Sequence, residues 1–331
     1  MRVAVLHNRV SERDGPDAAD VLVQADTVAA ALNRLGHEWR TIACTLDLEA
    51  VRRELSASGA ELVFNLVEDL DGHGRLIHLV PYLLDALGIA YTGAPAVAIL
   101  QTSHKIMAKE KMRRAGLPTP AWTGPYPSRE VQPPLPPGTR KWIIKSLWEH
   151  ASIGLDDGAV LETDSAAVLA AAMRRRSPLL GGACFAEEFI DGREFNLSLL
   201  AGPAGPEVLP PAEMVFEGYG PDMVRIVDYR AKWDERSFAG THTRRSFDFT
   251  GEDAWLLDEL RDIARRCWLE FGLEGYARVD FRVDAGSRPF ILEINANPCL
   301  SPDAGFVAAA ARAGLDFDRA VARIVAAAGE R

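Results

Sequence analysis

The chain has 331 residues, 48% of them hydrophobic and 25% charged, which is enough apolar material for two or three packed domains. Its formal net charge of −10 argues against a nucleic-acid surface and against a basic face on an anionic membrane. Cys44, Cys184, Cys267 and Cys299 are far apart and form no C-x-x-C pair, which fits a reduced cytoplasmic setting. Arg2 followed only by Val3–Leu6 is too short for a signal peptide, and no apolar run reaches bilayer-spanning length.

Val3–Leu6 reads as a strand. Asp17–Leu35 reads as a helix, because Val21, Ala25, Val28, Ala29, Leu32 and Leu35 recur at helical spacing before Gly36. Trp39–Ala43, Leu46–Ala57, Leu62–Leu66 and Arg75–Leu87 continue the alternation of strand and helix up to Gly88. This order predicts a parallel sheet with helices on its faces over residues 1–100. Ligand sites in such sheets lie beyond the carboxyl ends of the strands. His7, Asn8 and the Asn65–Gly74 loop are therefore expected beside a cleft, with His7 evenly balanced between a site role and a plain loop hydrogen bond.

His104–Ala115 predicts a basic helix carrying Lys105, Lys109, Lys111, Arg113 and Arg114 and closed by Gly116 and Pro118. Lys105, one residue inside the helix start, is the one placed to meet a phosphate; the others are expected to be solvated. Pro125–Gly138 holds six prolines and reads as an extended linking loop. The strand Lys141–Lys145 precedes a loop, Trp148–Gly154, with Ser152 and Gly154, a weak phosphate-loop signal. Ala183–Ile190 is an apolar strand with Glu187 and Glu188, which Asp191-Gly192 turns back into Glu194–Leu200. Met214–Phe247 is long and irregular and carries Arg225, Arg230, Lys232, Arg236, Arg244 and Arg245. Such a basic loop in an acidic chain reads as a lid over an anion. Trp255–Phe271, Pro302–Ala313 and Phe317–Ala328 are the remaining helices, and no internal repeat is present.

The most informative stretch is Tyr276–Pro298, YARVDFRVDAGSRPFILEINANP. Two alternating runs, Ala277–Val283 and Phe290–Asn295, flank a turn, which predicts a β-hairpin. Folded about its midpoint, it sets Asp280 opposite Glu293 and Arg278 opposite Asn295, with Cβ atoms about 5 Å apart. Leu292 and Ile294 are expected on the other face. Two carboxylates that close repel unless a cation lies between them, and carboxylate and amide oxygens suit Mg²⁺. A solvated face on which Arg278 and Arg282 neutralise the acids is the competing reading. The Glu-x-Asn-x-Asn-Pro ending and the lysines upstream favour the metal.

Taken together, these residues resemble the ATP-grasp superfamily in its D-alanine–D-alanine ligase branch, nearly end to end. Tyr91-Thr92-Gly93, Ala115–Pro120, Glu187–Glu194 and Ala277–Pro298 carry the resemblance. It implies an α/β and α+β chain with a parallel N-terminal domain at 1–100 and two ATP-grasp subdomains, at 101–186 and at 187–331 with the lid 214–247. ATP would lie between the antiparallel sheets of the latter two. The resemblance implies that Lys105 and Lys145 touch the phosphates, with Ser152 in the phosphate loop. It gives Glu187 and the Ile190 backbone to adenine, Glu194 to ribose and Lys232 to the γ-phosphate. Asp280, Glu293 and Asn295 would bind two Mg²⁺ ions, for which Mn²⁺ can substitute, and Arg278 would meet the developing oxyanion. A homodimer formed through first-domain surfaces is implied as well.

The departures bear on the substrates. The family glutamate that binds an amine lies in the first strand-to-helix loop, where this chain offers Glu12, Asp14 and Asp17. The family's Gly-Ser-Ser reads His150-Ala151-Ser152, and its lid tyrosine reads Trp233. A glycine reads Cys299, a serine reads Ala304, and a His-Gly pair reads Leu66-Val67. Nucleotide positions survive while D-alanine positions change. The implied activity is an ADP-forming ligase of the EC 6.3 type that joins another carboxylate, an amino acid or small peptide, to an amine. An authentic D-alanine–D-alanine ligase of peptidoglycan synthesis and a nucleotide-binding protein without turnover are the alternatives; the last has no need of Arg278. His150 is either a donor to the second substrate or solvent-facing. Cys299 reads as a small packed residue rather than a nucleophile.

Overall fold

The computed structural model describes residues 1–11, 14–128 and 135–329. Its first sheet is parallel, ordered β2-β1-β3-β4. It is built from β1 (Arg2–Asn8), α1 (Pro16–Arg34), β2 (Glu38–Cys44), α2 (Leu48–Ser58), β3 (Leu62–Asn65), α3 (Leu79–Leu87) and β4 (Ala90–Tyr91). Local chemistry sets the ends. Pro16 opens α1, and the Asp47 carboxylate accepts the Ala50 N–H to start α2. The helix predicted from Arg75 begins only at Leu79, because Gly74–Leu76 forms a tighter 3₁₀ turn.

Next come α4 (Ala96–Ser103) and α5 (Lys105–Arg114), separated by His104, whose imidazole accepts the Met107 N–H. The second sheet is antiparallel, in the order β5-β8-β6-β7. Its elements are β5 (Trp122–Tyr126), β6 (Arg140–Ser146), β7 (Val160–Thr163), α6 (Ala166–Arg176) and β8 (Cys184–Glu188). Leu169, Ala172 and Met173 of α6 pack on Trp142, Ile144 and Ala186. Pro125, read as linker, belongs to β5, and residues 129–134 of that stretch lie outside the described residues.

The third sheet comprises β9 (Arg193–Gly202), β10 (Gly205–Val208), β11 (Ala212–Phe216), β12 (Thr243–Ser246), β13 (Tyr276–Val283) and β14 (Pro289–Asn295). Its order is β12-β11-β9-β13-β14, with β10 beside β9. Between β11 and β12 lie α7 (Tyr229–Trp233) and α8 (Phe238–His242), and α9 (Ala254–Phe271) covers one face. The chain closes with α10 (Gly305–Arg312) and α11 (Phe317–Gly329). Leu200 and Tyr276 of this sheet share a core with Val3, Phe64, Phe306 and Val321. Each such side chain contributes about 2 kcal/mol on burial, so this core fixes the first sheet against the third.

Three expectations need correction. The Asp191-Gly192 turn is not a hairpin, since β8 and β9 belong to different sheets. Gly192 makes the passage with φ 152°, where a Cβ would stand 2.0 Å from the Val283 carbonyl oxygen. Met214–Phe247 is not irregular throughout; its ends are the paired strands β11 and β12, from Glu213 against Ser246 to Phe216 against Thr243. The predicted hairpin register is correct, with Asp280 opposite Glu293 and Arg278 opposite Asn295. A bulge beyond Asp280 then pairs Phe281 with Ile291. Leu292 is the extra residue, so it turns into the cavity beside Glu293 while Ile291 and Ile294 enter the core.

Candidate active site

A cavity of about 490 Å³ opens between the second and third sheets and runs to α1 and the loop after β3. The nucleotide, metal and wall residues carried over by the resemblance line it, from Lys105 through Ser152 and Ile190 to Ala304; Asp14, Asp17, His7 and Asn8 do not. His7 is buried, with Nδ1 on the Asn8 carbonyl oxygen, and of that loop cluster it is Glu68 that reaches the cavity.

At the wall formed by β6, β8 and α5, Glu187 is 1% exposed. Its carboxylate lies 2.6 Å from Lys109 Nζ and 2.5 Å from Lys145 Nζ. Burial would raise its pKa, but the two lysines hold it below the usual carboxylate range. Lys109 therefore corrects the reading of α5 as solvated beyond Lys105. It lies four residues on, on the same helical face, and that spacing is the signal that could have found it. Lys105 Nζ donates to the Glu149 carbonyl oxygen at 2.7 Å. Glu187 is thus an anchor for two lysines, which differs from the free adenine partner implied by the resemblance. Glu194 pairs with Arg282 at 2.8 Å, a contact the strand pattern did not reveal.

The Trp148–Gly154 loop is held from the 214–247 segment. Ala151 and Ser152 both adopt left-handed backbone, at φ 57° and 60°, a conformation that costs a non-glycine residue about 1–2 kcal/mol. Trp233 Nε1 donates to the Ala151 carbonyl oxygen at 3.3 Å, and Ser152 Oγ donates to that of Val227 at 2.8 Å. Gly154 has no alternative, because a Cβ there would lie 2.5 Å from the Leu179 carbonyl oxygen. The same segment also reaches α1, where Tyr229 OH donates to Asp17 Oδ1 at 2.8 Å. Asp14 is engaged by the Ser11 N–H, and Glu12 lies outside the described residues.

His150 is half-buried and lines the cavity. Among the described residues its Nε2 is buried without a hydrogen-bond partner. Burial, then the nearby Lys105, pushes its pKa down to about 4, so the ring is neutral at neutral pH.

On the hairpin, Arg278 grips Asp280 through Nε and Nη2 at 2.7 and 2.8 Å. Asn196, two residues beyond Glu194 on the same strand face, donates to Asp280 Oδ1 at 2.8 Å. Burial would raise the Glu293 pKa, yet Lys105, Lys232, His150 and Lys145 hold it low. The pKa of Lys232 is itself lowered by burial and by Arg278. Asn295 Nδ2 lies 3.4 Å from both Asp280 Oδ2 and Glu293 Oε1. Turning that amide over presents Oδ1 to the same point, giving three hard-oxygen side chains on adjacent strands. That donor set fits Mg²⁺. Among the described residues no group of three or more His, Cys, Asp or Glu forms a metal cluster; the amide makes the third donor here.

At the far end, Cys299 Sγ and Ser301 Oγ donate to Asp20 at 3.1 and 2.6 Å. Burial and Glu68 push the Cys299 thiol up, which favours its protonated form. Burial together with Asp20, Asp69 and Asp17 raises Glu68 to about 7, against the Gln24 hydrogen bond. These acids come from α1 and the loop after β3, and no local pattern links them.

A parallel sheet followed by two antiparallel sheets that clasp a lysine-lined cavity defines an ATP-grasp ligase. Residues 142–326 match the family described as D-ala D-ala ligase C-terminus. The chain is 31% identical over 317 residues to a D-alanine–D-alanine ligase of Moorella thermoacetica, covering 92% of this chain and 93% of that one. It is 30% identical over 318 residues to the uncharacterized protein y4sG of Sinorhizobium fredii, covering 93% and 88%. The structure of a Bacillus anthracis D-alanine–D-alanine ligase complexed with ATP superposes with TM-score 0.72 at 17% identity, over 100% of this chain and 97% of that one, which establishes the fold. The chain belongs to the D-alanine–D-alanine ligase family and is an ATP-dependent carboxylate–amine ligase. No helix among the described residues is long and apolar enough to cross a membrane.

Proposed function

We propose that the protein joins the carboxylate of an amino acid or small peptide to an amine, releasing ADP, and that D-alanine is not its substrate. The observation that carries the reaction type is the Arg278–Asp280–Glu293 arrangement facing Lys232 of the lid in one cavity. A carboxylate is a poor electrophile until one oxygen takes the γ-phosphoryl group. Lys105, Lys145 and Lys232 offset the charge crowded together in that transfer. Asp280, Glu293 and Asn295 would hold Mg²⁺, two ions by family resemblance, which neutralises phosphate charge when bound. The amine then attacks the acyl phosphate, phosphate leaves, and the Arg278 guanidinium stabilises the tetrahedral oxyanion. Losing one such donor typically costs about 100- to 1000-fold in rate. The lid, tied to Ala151, Ser152 and Asp17, excludes water that would hydrolyse the acyl phosphate.

The substrate reading rests on the wall. Ala151 and Ala304 carry no hydroxyl, and the indole of Trp233 is occupied by the Ala151 carbonyl. Nucleotide-facing Lys145 and Glu194 are unaltered. Sites that hydrogen-bond a substrate reject ligands by about 10⁴-fold or more when the polar partners do not match. D-Alanine as sole amino acid is therefore expected to support ADP release poorly while ATP binds normally. A coupled ADP-release assay over D- and L-amino acids, dipeptides and small acids tests this. D-Alanyl-D-alanine formation at a rate typical of good ligases would replace this reading with the authentic ligase. A cytoplasmic homodimer that also accepts Mn²⁺ completes the proposal, on family resemblance.

A further inference from the structure

Arg245, on β12, lines the cavity beside Asp303, Ala304 and Gly305. Among the described residues its Nε is buried with no hydrogen-bond partner, and Nη1 donates to the Asp303 carbonyl oxygen, at 3.2 Å. The neighbouring arginines of the same wall are paired: Arg278 with Asp280 at 2.7 Å and Arg282 with Glu194 at 2.8 Å. Arg245 forms no ion pair among the described residues, and the charge of Arg278 repels it while that of Asp303 offsets this only in part. A guanidinium stays protonated in proteins, so this partly buried cation carries a charge that Asp303 compensates only in part and that an arriving anion would relieve.

Position selects the anion. Lys105 and Lys145 stand at the Glu149 and Glu187 end of the cavity, whereas Arg245 stands where α10 begins. Gly305 leaves that approach open, since even a Cβ there would lie 3.6 Å from Arg245 Nη2. Ala304 precedes α10 without a side-chain cap, so nothing at that position competes for the fork.

We propose that Arg245 is a specificity residue that pairs with a carboxylate on the amine substrate and holds that substrate beside Arg278. This rests on the ligase reading above. The planar fork of arginine matches a carboxylate through two parallel hydrogen bonds. The amine substrates are accordingly amino acids or peptides with a free carboxylate; simple amines and carboxamides are excluded.

Two measurements test it. In the ADP-release assay, each active amine substrate is compared with its carboxamide, in wild type, Arg245→Gln and Arg245→Lys. Losing one partner of such a pair typically weakens binding by roughly 30-fold or more. KM for the carboxylate substrate is expected to rise by that factor in Arg245→Gln and by less in Arg245→Lys. KM for ATP, the melting temperature and the already weak use of the carboxamide should stay as they are. Independently of turnover, spectra of protein labelled with ¹⁵N at arginine Nε are recorded with AMP-PNP and Mg²⁺ as the same compounds are added. The Arg245 resonance, assigned from its absence in Arg245→Gln, is expected to move with carboxylates and not with carboxamides. A shift with AMP-PNP alone and none afterwards would assign Arg245 to phosphate and overturn the proposal. Equal response to carboxylates and carboxamides, or no response to either, overturns it too. Failure of every acid–amine pair to release ADP, with the carboxylate-dependent shift intact, would instead sink the ligase reading.

Discussion

Replacing Glu187 by Gln removes the negative charge between Lys109 and Lys145 while keeping the size of the side chain. Lys109 and Glu187 are each 1% exposed and Lys145 is 16% exposed, so solvent screens the triad little. Breaking a buried ion pair from one side typically costs about 3–5 kcal/mol, because a desolvated charge is left behind. At about 2–4 °C per kcal/mol for a unit of a few hundred residues, the melting temperature should fall by roughly 6–20 °C. The Glu187→Met, Lys109→Met double variant leaves only Lys145, which reaches the cavity, and should recover at least half of that loss. The assay is scanning calorimetry of wild type and both variants at pH 7. A Glu187→Gln melting temperature within about 1 °C of wild type would refute the buried triad. A double variant worse than the single one would show that volume, not charge, is decisive there.

The same triad sets a pH dependence. The pKa of Glu187 is lower folded than unfolded, so its stabilisation is fully present above the unfolded value of about 4.3. It is lost as pH falls through the folded value, and Glu187→Gln should flatten that acid limb of the stability profile; an unchanged limb counts against the pairing. Glu293→Gln is expected to abolish ADP release while the protein still melts cooperatively, since Asp280 and Asn295 alone make a poor Mg²⁺ site. Activity within a few-fold of wild type would remove Glu293 from the site. The lid, residues 214–247, should exchange amide hydrogens faster without nucleotide than with AMP-PNP and Mg²⁺, because a few contacts such as Tyr229 OH–Asp17 and the Tyr229 N–H to the Leu155 carbonyl close it. Equal protection in both states would argue against closure.

The hairpin was legible because a two-residue period fixes which residues share a face, and Asp280 and Glu293 lie 13 residues apart on either side of one turn. Its bulge was not, since a one-residue insertion leaves the composition of both strands unchanged. That is why strict alternation puts Leu292 on the opposite face from the one it occupies. The β8–β9 passage fooled the turn rules because Asp-Gly chemistry serves a change of sheet as readily as a hairpin. Lys109 was lost among α5 cations, where charge alone does not distinguish a solvated lysine from one buried against Glu187. Asp20, Glu68 and Arg245 come from three separate segments, and only tertiary packing brings them to one cavity.

The fate of a carboxylate oxygen tests the central claim most directly. An acid that supports ADP release is supplied with ¹⁸O in its carboxylate, together with ATP, Mg²⁺ and the amine, and the released phosphate is analysed by mass. Activation as an acyl phosphate requires one ¹⁸O in each phosphate formed alongside amide and ADP. Unlabelled phosphate, or release of AMP and pyrophosphate, would contradict the account.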